Sequence, residues 1–368
     1  MKRGIKLFKL FGIEIRLHFS WFFIFIILAW SLATSFFPYY FSGFSNMNYW
    51  IMGIVASLLL FVSVLLHELS HSLVAKTRNI QVKTITLFFF GGVAGIEKEE
   101  MKPSSEFLMA IAGPLFSAIL GLIFFFIYRL DGNGMVEAIT FYLYQINFIL
   151  AVFNIVPAYP LDGGRAFRAI LYAHYKDLKK ATRIASRGGR FFASFLFVLG
   201  IFALFQGNAG GLWFILLGGF LYFLAGASYQ QVLVKDYLSA IPLRQLLKKT
   251  GNVLSGKMTF AQFLKRYANS SADTFLVKED NYLGVFDLKK VQALPQKMHT
   301  LVKIKQLSLP LNSSRTLSLT DNTFTAFRKL SEQDLDFLPV LEKGKIIGVI
   351  PQKVIVKRLN IEAKFRSK

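Results

Sequence analysis

Long apolar stretches constrain this chain more than any other feature of its sequence. Six segments come close to or exceed the roughly 20 apolar residues that cross a bilayer as a helix, and they cover about 19–37, 50–75, 105–128, 138–156, 190–206 and 211–230. With 54% hydrophobic residues and 40 phenylalanines, the chain has more apolar surface than a soluble core buries. Because backbone groups in lipid must pair within the protein, we predict an α-helical polytopic membrane domain over residues 1–230.

The remaining residues, 231–368, have no such stretch and repeat internally. A shift of 64 residues superimposes Thr259, Phe260, Phe263 and Gly284-Val285 on Thr323, Phe324, Phe327 and Gly348-Val349. Each unit alternates short helical and strand patterns, over about 232–295 and 300–361. Two matched units that bury their faces against each other form one pseudo-symmetric α/β domain.

Positive charge indicates how the helices are oriented. The segments on one side of the predicted helices, residues 1–17, 76–107 and 157–190, hold 18 Lys and Arg residues. The segments on the other side, residues 37–49, 129–138 and 206–210, hold 1. The positive-inside rule therefore predicts a multi-pass cell-membrane protein with both termini in the cytoplasm. The tail is also basic but carries no nucleic-acid recognition motif, so we expect it to lie near an anionic inner leaflet and not to bind nucleic acid.

The motif His67-Glu68-Leu69-Ser70-His71 lies at the inner end of the second apolar stretch. On a helix, positions i and i+4 share a face, so both imidazoles can bind one metal ion, with Glu68 as the general base for water. Charged groups at this depth are costly and are seldom kept without a function. The alternative is a pair of hydrogen-bonded core histidines.

A catalytic zinc site usually has three protein ligands, and the chain has no cysteine to supply one. Asp162 is the best candidate for the third ligand, because it lies between turn-forming Pro and Gly residues in a loop facing the same boundary as His71. The alternative is a helix N-cap before Gly163-Gly164-Arg165. The other nearby carboxylates are interpreted as solvated interface charges, and they are Glu14, Glu97, Glu99, Glu100 and Glu106.

Asn154 precedes Asp162 by eight residues, and its amide could donate to an oxyanion or hold a substrate backbone. The alternative is an ordinary polar residue at a helix end. The remaining histidines have no partners at ligand spacing, so we interpret His18 as a loop or interface residue and His174 and His299 as surface residues.

Two segments show strand patterns beside the predicted site. Residues 7–18 alternate apolar and polar side chains, and residues 82–96 are too short to span a membrane and too rich in glycine for a helix. We predict a hairpin at the cytoplasmic face and a second one dipping into the membrane. An open strand edge there could pair with an extended substrate.

Together these motifs resemble the site-2 protease family of intramembrane zinc metalloproteases, in the branch with a C-terminal pair of CBS domains. The resemblance rests on the His67–His71 motif, Phe90-Gly91-Gly92, Ala112-Gly113-Pro114 and the segment from Asn154 to Gly164. It implies one Zn²⁺ per chain bound by His67, His71 and Asp162, a catalytic Glu68, and an Asn154 that engages substrate.

The resemblance of the tail to a CBS pair implies dimerisation or nucleotide binding. Asp287 and Pro351 replace the hydroxyl of the usual nucleotide signature, and Lys290 and Val354 replace its acid. Binding of ATP or AMP is therefore in doubt, and a structural role or a homodimer is at least as well supported.

The leading hypothesis is hydrolysis of a peptide bond within or near the transmembrane segment of a membrane-associated protein. The alternatives are a CBS-regulated metal transporter, which would carry polar residues along several helices, and a catalytically inactive membrane adaptor.

Overall fold

The computed structural model describes residues 4–89, 91–96, 101–130, 134–250, 253–267, 270, 272–280, 282–291, 294–342 and 345–366. The chain divides into two compact units, Met1–Gln230 and Gln231–Lys368. Phe90, Glu97, Glu99 and Glu100, which the sequence analysis singled out, lie outside the described residues.

The first unit is built from long helices and a small sheet. Its helices are α1 Phe19–Ser31, α2 Phe37–Tyr40, α3 Asn46–Thr77, α4 Pro103–Leu130, α5 Met135–Ile155, α6 Asp162–Tyr175, α7 Leu178–Phe205 and α8 Gly211–Ser239. A π-helical turn joins α1 to α2. Six helical stretches of the described chain are long and apolar enough to span a membrane: α1 with α2, α3, α4, α5, α7 and α8. The six predicted spans are confirmed.

The ends of the helices differ from the sequence prediction. We predicted the fifth span from about residue 190, but α7 begins at Leu178, where the Asp177 carboxylate accepts from the Lys180 backbone N–H at 3.0 Å. Hydropathy marks the length that lies in lipid, whereas a capping side chain determines where the helix begins. The basic segment before residue 190 is therefore helical.

Large apolar side chains cover the outside of the membrane unit. On α7, Phe191 is 78% exposed and Phe205 is 88% exposed. Phe195, Val198 and Phe202 are exposed between them, at helical spacing along one face. Such a continuous apolar face is expected where a helix contacts lipid.

The two predicted β segments form one sheet. Its strands are β1 Gly4–Leu10, β2 Ile13–His18, β3 Val82–Phe88 and β4 Gly91–Ile96, in the order β1-β2-β3-β4. β2 and β3 pair in parallel and the other neighbours are antiparallel. Ile13 and Ile15 are fully buried in a cluster with Leu69 of α3, so one face of the sheet packs on the helix that carries the histidine motif. β4 is an outer strand.

The second unit contains two α/β halves. The first has β5 Val253–Ser255, α9 Phe260–Tyr267, β6 Thr274–Glu279, β7 Tyr282–Asp287, α10 Ile304–Leu307 and β8 Leu309–Pro310. The second has β9 Leu317–Ser318, α11 Thr323–Gln333, β10 Phe337–Glu342, β11 Lys345–Pro351 and α12 Gln352–Arg366. The sheet orders are β5-β6-β7-β8 and β11-β10-β9.

The repeated residues occupy matching places in these halves. Gly284 lies in β7 and Gly348 in β11, and each strand is antiparallel to the strand before it. Val285 of the first half and Leu338 of the second belong to one buried cluster. The two halves therefore share a core, and the predicted fold class, a six-helix membrane domain with a small sheet and an α/β tail, is confirmed.

Candidate metal centre

Three predicted ligand atoms from two helices meet at one point. His67 and His71 face the same side of α3, and their Nε2 atoms lie 3.2 Å apart. The Oδ2 atom of Asp162 lies 3.2 Å from His67 Nε2 and 3.0 Å from His71 Nε2. All three residues are buried. The structure thus brings together side chains that lie 91 and 95 residues apart in sequence.

Partners on α4 orient both imidazole rings. His71 Nδ1 lies 2.6 Å from the Met109 carbonyl oxygen. A carbonyl only accepts hydrogen bonds, so Nδ1 carries a proton, and in the neutral ring the Nε2 lone pair faces Asp162. The hydroxyl of Ser117 lies 2.8 Å from His67 Nδ1 and can accept in the same way. Such outer partners are typical of histidines that bind metals.

This donor set fits a zinc ion. Bonds of about 2.0–2.1 Å in a tetrahedral centre separate the ligand atoms by about 3.3 Å, close to the 3.0–3.2 Å observed here. If Nδ1 carries the proton on both rings, the two Nε2 lone pairs and the carboxylate oxygen face one another, and a cation between them offsets their repulsion. Zinc, with its nitrogen and oxygen preference, is the chemical match for two imidazoles and one carboxylate.

A close approach of α4 makes the site compact. An added Cβ at Gly113 would overlap His71 Nε2 and would lie 2.7 Å from His67 Nε2. Only glycine at position 113 therefore lets the α4 backbone pack against both imidazoles. Ala112-Gly113-Pro114, one of the motifs that carry the family resemblance, thus places its glycine against both histidines.

Glu68 lies on α3 beside the histidines and is covered by the sheet. An added Cβ at Gly92 would overlap the Glu68 Cγ atom and would lie 3.2 Å from its Oε1 atom. The outer strand β4 therefore runs directly past this carboxylate. The Glu68 carboxylate, the predicted proton acceptor, therefore lies next to the outer strand of the sheet.

Asp162 is the first residue of α6, and the N-cap position belongs to Leu161. Its Oδ2 atom faces the histidines, and its Oδ1 atom lies 3.8 Å from Arg165 Nη1. The alternative interpretation of Asp162 as an N-cap is therefore wrong. Gly163 and Gly164 allow this arrangement, because a Cβ on Gly163 would overlap the backbone at the end of α5 and one on Gly164 would overlap the loop before α6.

The structure places Asn154 in the last turn of α5, half-buried. Its Nδ2 group donates to the Leu150 carbonyl at 3.0 Å. No described hydrogen bond joins Asn154 to His67, His71 or Asp162. Its substrate contact stays a prediction.

The interpretation of Glu106 as a solvated interface charge is wrong. Glu106 is 2% exposed and forms an ion pair with Arg168 of α6. Glu14 is partly exposed and bonds Arg16 at 3.1 Å. Sequence reasoning missed Arg168, Met109 and Tyr159. Glu106 lies three residues before Met109 on α4, so the two share a helix face. This spacing could have indicated that Glu106 is buried.

The other histidines lie outside this cluster. His18 is exposed, and its Nδ1 accepts from the Ser20 backbone N–H as the N-cap of α1. His174 is exposed. The surface interpretation is wrong for His299, because it is half-buried, packs edge-on against Phe260 and lies 3.1 Å from the Leu294 carbonyl.

Comparisons with known proteins identify the family of this chain. The model of Peptidase family M50 matches residues 55–141 and 129–196. The chain is 32% identical over 374 residues to a Synechocystis sp. protein named "Putative zinc metalloprotease sll0528", covering 99% of this chain and 97% of that protein.

Two solved structures are also similar to parts of the chain. A site-2 protease from Methanocaldococcus jannaschii is 32% identical and covers 61% of this chain and 94% of its own, with a TM-score of 0.42. A CBS domain protein from Streptococcus pneumoniae covers 36% of this chain and 97% of its own, at 19% identity and a TM-score of 0.30.

The family match includes the His67–His71 motif, Asn154 and Asp162, and the similarity to the Synechocystis protein extends over nearly the whole chain. The predicted family and enzyme class are confirmed. The chain belongs to peptidase family M50, the site-2 protease family, and is a zinc metalloprotease whose catalytic domain lies in the membrane.

Proposed function

We propose that His67, His71 and Asp162 bind one zinc ion per chain, and that the enzyme cleaves a peptide bond within or beside a transmembrane segment of its substrate. The single observation that supports this proposal is the meeting of three ligand atoms at 3.0–3.2 Å. Both histidines lie on a helix long and apolar enough to span the membrane, so the substrate must be a membrane protein or membrane-associated protein.

Glu68 and Asn154 each have a role in hydrolysis at this site. Zinc, when bound, acts as a Lewis acid and lowers the pKa of a water molecule toward 7. Glu68 takes the proton from the attacking water and returns it to the leaving amine. Asn154 donates its amide to the substrate carbonyl when substrate replaces the Leu150 carbonyl as its partner.

The substrate binds in an extended form. A helix hides its carbonyls in internal hydrogen bonds, so the scissile segment must unwind before it can be attacked. β4 is the outer strand of its sheet, with no neighbouring strand on one edge among the described residues, and Gly92 in that strand lies against Glu68. Pairing of the substrate with this edge brings its backbone to the catalytic carboxylate.

The membrane and tail proposals follow from charge and packing. Both termini lie in the cytoplasm of a cell-membrane protein, and the domains are 1–230 and 231–368. The first unit of the tail extends beyond the predicted 232–295, through β8 Leu309–Pro310, and the second begins at β9 Leu317–Ser318 and not at 300. The tail acts as a CBS pair that forms homodimers and does not need a nucleotide. Lys289 Nζ lies 3.3 Å from both Asp273 Oδ2 of the first half and Asp336 Oδ1 of the second, so ion pairs within the chain link the two halves.

The zinc and the base are tested together with Glu68→Gln. The variant should keep about one zinc per chain by elemental analysis and lose cleavage, because the amide cannot accept the proton. Membrane fragments that appear in cells with active enzyme should vanish with Glu68→Gln and persist with Glu137→Gln, a carboxylate in the first turn of α5. Wild-type protein without zinc, or unchanged fragments with Glu68→Gln, would refute the proposal.

The tail proposal has its own measurements. Light scattering of the purified full chain should report a dimer, and ATP or AMP should leave its thermal unfolding unchanged. A monomer at all concentrations, or a clear stabilisation by either nucleotide, would contradict this role.

A further inference from the structure

One face of α4 contacts both histidines of the metal centre and the helix that carries Asp162. Glu106, Met109, Gly113 and Ser117 follow one another at intervals of three, four and four residues, so they share a face of the helix. Met109 and Ser117 contact the two Nδ1 atoms, and Gly113 packs against both imidazoles. Glu106 continues this face beyond the histidines.

Glu106 binds the helix that carries the third ligand. Its Oε1 atom accepts from Arg168 Nε at 2.9 Å and from Arg168 Nη2. Arg168 lies on α6, six residues after Asp162. A connection from Glu106 through Arg168 therefore fixes the position of α6, and Asp162 with it, against the same helix face that orients the histidines.

Tyr159 completes the connection from the other side of Asp162. Arg168 Nη1 donates to its hydroxyl at 2.9 Å, and the guanidinium carbon lies 4.8 Å from the centre of its ring. Tyr159 precedes Asp162 by three residues in the loop before α6. Arg168 thus joins α4 to both chain segments that flank the ligand.

The burial of Glu106 and Arg168 indicates a role other than stabilising the fold. Glu106 is 2% exposed, and the Arg168 side chain is 13% exposed. A buried ion pair often gives no more stability than apolar residues of similar size, so stability alone is a weak reason for it. Burial by itself would lower the pKa of Arg168, but Tyr159 and Glu106 together raise it, so this residue stays charged.

We propose that Glu106, Arg168 and Tyr159 are positioning residues, which hold Asp162 in register with His67 and His71 through the shared face of α4. This inference rests on the proposed metal site. Removing the connection should let α6 move relative to α4 and should weaken zinc binding by 10–100-fold, as for other outer-shell partners of metal ligands.

The test measures zinc release from purified full-length enzyme in detergent. Glu106→Gln, Arg168→Gln, the double variant and Tyr159→Phe are loaded with zinc and mixed with a chromogenic chelator. Each should release zinc faster than wild type, by 10–100-fold for the charge variants, and excess zinc should restore much of the cleavage. Glu14→Gln, which removes the carboxylate of another Arg pair in the same unit, should release zinc at the wild-type rate.

The variants separate positioning from loss of folding. A single charge variant leaves a buried charge without its partner and can misfold, whereas the double variant removes both charges and Tyr159→Phe removes one hydroxyl. Wild-type zinc release in the folded double variant and in Tyr159→Phe would overturn the inference. If wild type holds no zinc, or His67→Ala retains it, the proposed metal site itself fails.

Discussion

Gly113 of α4 lies against His71 of α3 so closely that a methyl group on Gly113 would overlap the His71 Nε2 atom. The same methyl group would lie 2.7 Å from His67 Nε2. One added methyl group at Gly113 would therefore force α4 and the two imidazoles apart.

Gly113→Ala should weaken zinc binding and abolish most cleavage, because either α4 or the imidazoles must shift. Elemental analysis after dialysis and a cleavage assay check this expectation. Gly219→Ala on α8 is the matched control, since a Cβ there meets nothing within 4 Å. Equal zinc content and activity in both variants would show that the close approach does not matter.

Ser117→Ala should weaken zinc affinity by about 10–100-fold, because it removes the partner that orients His67. A chelator titration of the purified enzyme measures the affinity. Ser57→Ala is the control: Ser57 is fully buried on α3, and its hydroxyl has no hydrogen-bond partner among the described residues. A similar loss in both variants would contradict a specific role for Ser117.

Gly92→Ala should leave zinc in place and reduce cleavage, because the three atoms nearest to the added Cβ all belong to Glu68. Zinc content and fragment formation are measured on the same preparation. Loss of zinc together with activity would mean that the sheet also supports the ligands.

Removing the metal should destabilise the membrane unit only. At about 100 times its Kd, a ligand that binds only the folded state stabilises it by about 2.7 kcal/mol. All 4 tryptophans lie in the first unit, so a fluorescence melt with and without a chelator reports on that unit alone. An unchanged melting temperature would indicate that the three ligand residues hold no stabilising ion.

The proposed orientation is testable without prior mutagenesis of cysteines, because the chain has none. Ala209→Cys, in the exposed turn before α8, should react with an impermeant maleimide on intact cells. Ser313→Cys, exposed in the tail, should react only after the membrane is opened. The reverse pattern would place the tail and both termini outside the cytoplasm.

Local patterns predicted most of the helices and the shared face of two proposed ligands, whereas Asp162 was proposed as the third only from its place in a loop. His67 and His71 lie four residues apart on one helix, so their shared face follows from helix geometry alone. The start of α7 at Leu178 was missed, because capping by Asp177 depends on one side chain and not on hydropathy. Glu106 was misjudged, because its partner Arg168 lies 62 residues away on another helix.

By itself, the sequence determined that this chain has six apolar helices, a paired-histidine motif with an adjacent carboxylate, and a repeated α/β tail. These properties follow from composition and short-range periodicity, which act within one element. Only the tertiary structure decided that Asp162 meets both histidines, that Gly113 and Gly92 pack against the site, and that Glu106 holds Arg168. Those contacts depend on how separate helices and strands pack, and no spacing along the chain specifies that packing.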